Sequence, residues 1–124
     1  DLLPTNGGVS GAMYLFNWWT VRPLPWMQLR GGWLWARAST DVVDPYRQRS
    51  QSRSVSFLGG DPGERSLGLE LDASLMMHKD LPFGMRVQGG IEGGVLFPGG
   101  AFTDATGRGM HTLGLVRARV AFIF

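Results

Sequence analysis

The sequence contains no cysteine. That excludes a disulfide framework and a thiolate metal site. It is also short of charge: 18% of its residues are charged, against about 25% in an ordinary soluble domain. Neither sign dominates, since 12 basic and 10 acidic residues leave a net charge of +2. No nucleic-acid partner is expected from so balanced a chain. An apolar content of 44% with 11% aromatics excludes disorder. Long hydrophobic runs are missing as well. A membrane helix needs about 20 mostly apolar residues. The longest uncharged stretch, Leu2 to Val21, holds Pro4, Thr5, Asn6, Ser10, Asn17 and Thr20. Its apolar part, Val9 to Val21, is too short to cross as a helix rising about 1.5 Å per residue. The chain opens at Asp1 without a basic n-region or a small-residue cleavage site. It is expected to be a mature protein or a piece of a longer one.

What is present is glycine, 19 in 124 residues, and alternation. Period-two patterning signals strands rather than helices. Leu67, Leu69, Leu71, Ala73, Leu75 and Met77 alternate with Ser66, Gly68, Glu70, Asp72, Ser74, Met76 and His78. Phe83, Met85, Val87, Gly89, Ile91, Gly93, Val95 and Phe97 form one face of a second run, opposite Arg86, Gln88 and Glu92. The C-terminal run sets Val116, Ala118, Val120, Phe122 and Phe124 against Leu115, Arg117, Arg119 and Ile123. Met27, Leu29, Gly31, Trp33 and Trp35 alternate with Gln28 and Arg30. In the first run, Val9 to Val21, Asn17 points to Ala12, Tyr14, Phe16 and Trp18 as the apolar face.

Arg22–Pro25 and Lys79–Pro82 read as short turns, because proline cannot sit inside a ladder. Asp41 to Arg65 is a long polar connection that could hide a strand pair near Arg53 to Leu58, and Pro98 to Met110 is a medium loop. The expected fold is all-β: an antiparallel up-and-down meander of about five long strands in one segment, residues 1–124.

The faces suggest more. Ordinary strands run about 5–6 residues, whereas a tilted transmembrane strand needs about 9–11. Apolar faces of 11 to 14 residues with aromatic ends suit a lipid-facing band. Short turns on one edge and long loops on the other match the periplasmic and extracellular ends of outer-membrane barrels. The meander is therefore expected to be a segment of a transmembrane β-barrel in a bacterial outer membrane.

The ending Val116-Arg117-Ala118-Arg119-Val120-Ala121-Phe122-Ile123-Phe124 resembles the C-terminal signal of outer-membrane proteins. Leu67-Gly68-Leu69-Glu70-Leu71-Asp72, then Phe97-Pro98-Gly99, Phe102 and the last strand, resemble the C-terminal end of the alginate-export porins. The resemblance covers about half the chain, Arg65 to Phe124. It implies a large barrel of about eighteen strands in a Gram-negative outer membrane, exporting anionic polysaccharide through an arginine-lined lumen. It also implies that Phe122 and Phe124 address the barrel-assembly machinery. Five strands cannot close a barrel, since the smallest have eight, so the remaining strands of a larger protein are expected partners.

Candidate lumen residues are Arg30, Glu70, Asp72, Arg86, Glu92, Arg117 and Arg119, with His78 and Gln88 beside them. They could steer a hydrophilic or anionic solute. They could equally form a structural ladder, with Glu92 facing Arg117 across adjacent strands. Trp18, Trp33, Trp35, Phe83 and Phe97 are candidates for an aromatic belt against outer-membrane lipid. Arg37 falls on the lipid face and is read as an interface residue or the sign of a bulge. The acids beside arginines read as paired charges rather than a glycosidase pair. No cofactor, metal or catalytic residue is expected. The expected function is passive passage of a solute through a polar lumen. Its alternatives are a soluble carbohydrate-binding module and a barrel serving as an anchor.

Overall fold

A computed structural model describes residues 11–124. Its strands are β1 (Ala12–Leu24), β2 (Met27–Ala38), β3 (Ser66–Asp80), β4 (Arg86–Pro98) and β5 (Leu113–Ile123). They form one five-stranded sheet in the order β1-β2-β3-β4-β5. The all-β, antiparallel, up-and-down expectation holds. Val9 and Ser10, expected to start the first strand, lie outside the described residues.

Three boundaries differ from the sequence reading. β1 runs through Pro23 to Leu24, and the turn is Pro25–Trp26. β1 is an edge of the sheet, where a residue that cannot donate costs no ladder bond if its nitrogen faces outward. Lys79 and Asp80 belong to β3, and Leu81 N–H closes the next turn on the Met85 carbonyl at 2.7 Å. Phe83 is not a strand residue. It lies in the 3-10 turn Pro82–Gly84 with φ of 69°, followed by Gly84 at 75°. Two successive positive φ values reverse the chain tightly, as in hairpin turns. That strands the Phe83 ring in full exposure.

The long connection holds no strand pair. It forms a short helix, α1 (Pro45–Gln51), and the Arg53–Leu58 stretch expected as a strand pair is irregular. Asp44 caps it: Oδ1 accepts from the N–H groups of Tyr46 at 2.9 Å and Arg47 at 3.4 Å, and Pro45 occupies the first turn. Ser52, left-handed at φ 52°, ends it.

The chain divides into two compact units. One gathers the connections, residues 11–15, 35–69 and 98–111. Ser56 is its buried polar centre, 1% exposed. The Ser56 hydroxyl accepts from Gly60 N–H at 3.0 Å and donates to the Thr103 carbonyl at 3.4 Å. Ala38 and Ala101 are its buried apolar residues. The other unit, residues 16–34, 70–97 and 112–124, is sheet wall with two turns. Trp19, Val21, Ile91, Val116, Val120 and Phe122 are all at least half exposed there.

Candidate functional site

Pairing fixes the faces. In the β4–β5 register Glu92 stands opposite Arg117, Gly90 opposite Arg119 and Gln88 opposite Ala121. The other face pairs Val87 with Phe122, Gly89 with Val120, Ile91 with Ala118 and Gly93 with Val116. Arg117 Nε donates to Glu92 Oε1, and Arg119 Nη2 lies 3.8 Å from Glu92 Oε2. The expected Glu92–Arg117 cross-strand pair is formed. Arg86 sits apart at the turn end, where its Nε and Nη2 donate to Asp80 Oδ1 and Oδ2 at 2.5 and 3.1 Å.

Glycines tie β3 and β2 to the same charged face. A Cβ on Gly94 would strike the Asp72 carboxylate, and one on Gly90 would strike Met76 Sδ. Glu70, Asp72, Ser74, Met76 and His78 therefore share the face of Glu92. The β4 glycines thus make room for β3 side chains inside the wall. A Cβ on Gly32 would meet the Trp18 ring at 2.6 Å. The Arg30 guanidinium lies 5.8 Å from the Trp18 centroid.

Trp18 therefore stands with Arg30 on the charged face, and the belt assignment made for it by its apparent strand face is corrected. So is the assignment of Ala12, Tyr14 and Phe16, which share its parity. Trp19 packs over Gly31 and shares the face of Trp33 and Trp35. Asn17, the clue followed in the sequence, is a lone polar residue on the apolar side. Thr20 and Arg22 carry the stronger signal for the other side. Arg22, missed as a face residue because it was placed in a turn, donates from Nε to Gln28 Oε1 at 3.3 Å. Phe97 keeps the parity of Ile91 and Val95 on the apolar face. Phe124 follows β5 and is almost fully exposed. Arg37 is exposed one residue before the end of β2, on the parity of Trp33 and Trp35.

The charged face holds two hollows. One, of about 540 Å³, is lined by Trp18, Arg30, Glu70, Asp72, Glu92 and Arg117 among others. Five of the seven expected lumen charges meet there. The second, of about 420 Å³, lies nearer the turns and includes Arg22, Arg30, His78, Gln88, Glu92 and Arg119. Carboxylates outnumber guanidiniums in the first hollow, and guanidiniums outnumber carboxylates in the second. Among the described residues, Arg30, Glu70 and Asp72 have no ion-pair partner.

The loop acids are structural acceptors. Asp41 holds Arg65 at 2.7 Å, Asp61 accepts from Gly63 N–H at 2.8 Å, and Asp44 caps α1. Asp104 Oδ1 accepts from Thr106 Oγ1 at 2.6 Å, Thr106 N–H at 2.8 Å and Arg108 N–H at 3.0 Å. The Thr106 hydroxyl bond, then those backbone N–H groups, hold the Asp104 pKa below its ordinary value. No cluster of three or more metal-ligating side chains occurs among the described residues. No helix among them is long and apolar enough to cross a membrane, which says nothing of strands.

No protein-family model, curated protein or solved structure matches the chain.

Proposed function

We propose that the sheet is a wall segment of an outer-membrane β-barrel, and that its charged face lines a channel passing a hydrophilic solute passively. One observation carries the reading: strands of 11 to 15 residues expose large apolar side chains on a sheet with no second layer among the described residues. A soluble sandwich buries such a face against another sheet. In a barrel, lipid covers it and the opposite face stays polar. The strand lengths meet or exceed the roughly 9–11 residues that a tilted crossing needs. Phe122 on the apolar face and terminal Phe124 suit an assembly signal, in keeping with the resemblance to alginate-export porins. Among the described residues β1 and β5 end the sheet with unpaired edges, which in lipid must pair with further strands.

On this reading Arg30, Arg86, Arg117 and Arg119 bias the lumen, and Glu92 tempers two of them. Fractionation of cells expressing the full-length gene product tests the membrane location. It should pellet with outer membranes and come away with detergent alone; clean solubility in buffer would overturn it. Planar-bilayer conductance then separates a channel from an anchor.

A further inference from the structure

The larger hollow departs from a simple anion lining, and we infer that it binds a neutral pyranose, with Trp18 as the platform. This rests on the channel reading for its place in a lumen. The indole lies against Gly32, where any side chain would lift it off the strand. Backbone supports the ring, yet Trp18 remains 49% exposed. A half-exposed, backbone-supported aromatic is a flat apolar surface of fixed orientation.

Around it stand polar groups without an ion-pair partner, of which Arg30 also faces the indole at 5.8 Å. Glu70 and Asp72 line the hollow without a cation partner, and Arg30 lines it without a carboxylate partner, among the described residues. Glu92 and Arg117 close the set but satisfy each other. A pyranose fits this arrangement. Its C–H face stacks on the indole, and its rim of hydroxyls donates to the carboxylates and accepts from the guanidinium. The volume, about 540 Å³, lies within the range of small-molecule sites. Charge sets the class of sugar. Three carboxylates face two guanidiniums, one of them already engaged, so an acidic sugar meets repulsion that a neutral one does not.

Isothermal titration calorimetry on the full-length gene product held in a sugar-free detergent tests this, with cellobiose, glucuronate and choline as probes. Cellobiose should bind; glucuronate should bind more weakly because the carboxylates repel it, and choline more weakly because the Arg30 guanidinium already faces the indole. Trp18→Ala should weaken cellobiose about tenfold or more, the scale of one lost apolar contact in a pocket. Trp18→Phe should retain most of the binding. Circular dichroism checks that each variant keeps its strand signal. If Trp18→Ala fails to fold, Asp72→Asn decides: cellobiose loses a charged acceptor and should bind more weakly, while the ratio of glucuronate to cellobiose affinity should rise as the repelling charge is removed. No cellobiose binding, binding indifferent to Trp18→Ala, tighter choline or glucuronate binding, or an Asp72→Asn variant with an unchanged glucuronate-to-cellobiose ratio each overturns the inference. Membrane insertion of the same full-length protein, measured in parallel, separates the two ideas. Insertion without sugar binding defeats the pyranose site alone. Sugar binding by a chain that needs no detergent defeats the channel and leaves the site.

Discussion

The connection unit and the wall unit are held by different physics. In the connections, polar groups find one another: Ser56 joins Gly60 to Thr103, Asp44 caps α1, and Asp104 gathers two N–H groups and a hydroxyl. Their buried apolar residues are alanines, Ala38 and Ala101. In the wall, the backbone ladder pairs the strands, and among the described residues the large apolar side chains find no protein partner layer. The contrast teaches where each unit's environment lies. The connections satisfy themselves in water. The wall has one face built for water and one that water does not suit.

The largest effect should come from crossing those faces. Ile91→Arg places a charge on the apolar side, opposite Ala118. In a lipid-facing wall this costs about 2–4 kcal/mol near mid-membrane. Gln88→Arg, on the charged face, should cost within about 0.5 kcal/mol, as surface changes do. Urea titration of the vesicle-folded protein compares them, and equal costs would erase the distinction between faces.

Next comes the connection unit. Ser56→Ala leaves the buried Gly60 N–H without its side-chain acceptor, at a cost of about 1–3 kcal/mol. Amide hydrogen exchange should rise at Gly60 while the β4 amides stay protected. A uniform rise would mean that the units open together.

A smaller effect is expected at Glu92→Gln. Its arginine partners are exposed, so stability should change little. Bilayer selectivity should nevertheless move toward anions as Arg117 and Arg119 lose their counter-charge. A stability loss without a selectivity change would make the pair a ladder rung and nothing more.

The smallest concerns pH. The Asp104 pKa is lowered in the folded loop, so its contribution is fully present above the ordinary carboxylate pKa. It is lost as pH falls through the lowered value. Exchange at Thr106 and Arg108, corrected for intrinsic pH effects, should quicken in that acid window and not before.

The strands were legible because alternation survives wherever the two faces differ in polarity, as Glu70, Asp72, Arg117 and Arg119 show. β1 was not legible in the same way. Met13, Leu15 and Trp19 face one side and Tyr14, Phe16 and Trp18 the other, so period two carries little information and the lone Asn17 misled. α1 was announced by Asp44-Pro45, a cap followed by a first-turn proline, but a polar loop drew attention to composition instead. Phe83 obeyed the alternation of β4 while belonging to its turn, since periodicity does not register a positive φ. The hollow around Trp18 depends on Gly32 and Gly94 being empty, which no single-sequence pattern reveals.

These 124 residues hold no cysteine, so each substitution along β4 adds a single thiol to this wall. Single substitutions along β4, from Val87→Cys through Gln88→Cys to Val95→Cys and Leu96→Cys, can be probed in intact outer membranes with a water-soluble maleimide. The expected result is a strict alternation: even positions label rapidly and odd positions resist until detergent is added. Equal labelling of Val87→Cys, Ile91→Cys and Val95→Cys with their even neighbours, in membranes without detergent, would contradict a wall that turns one face to lipid and the other to solution.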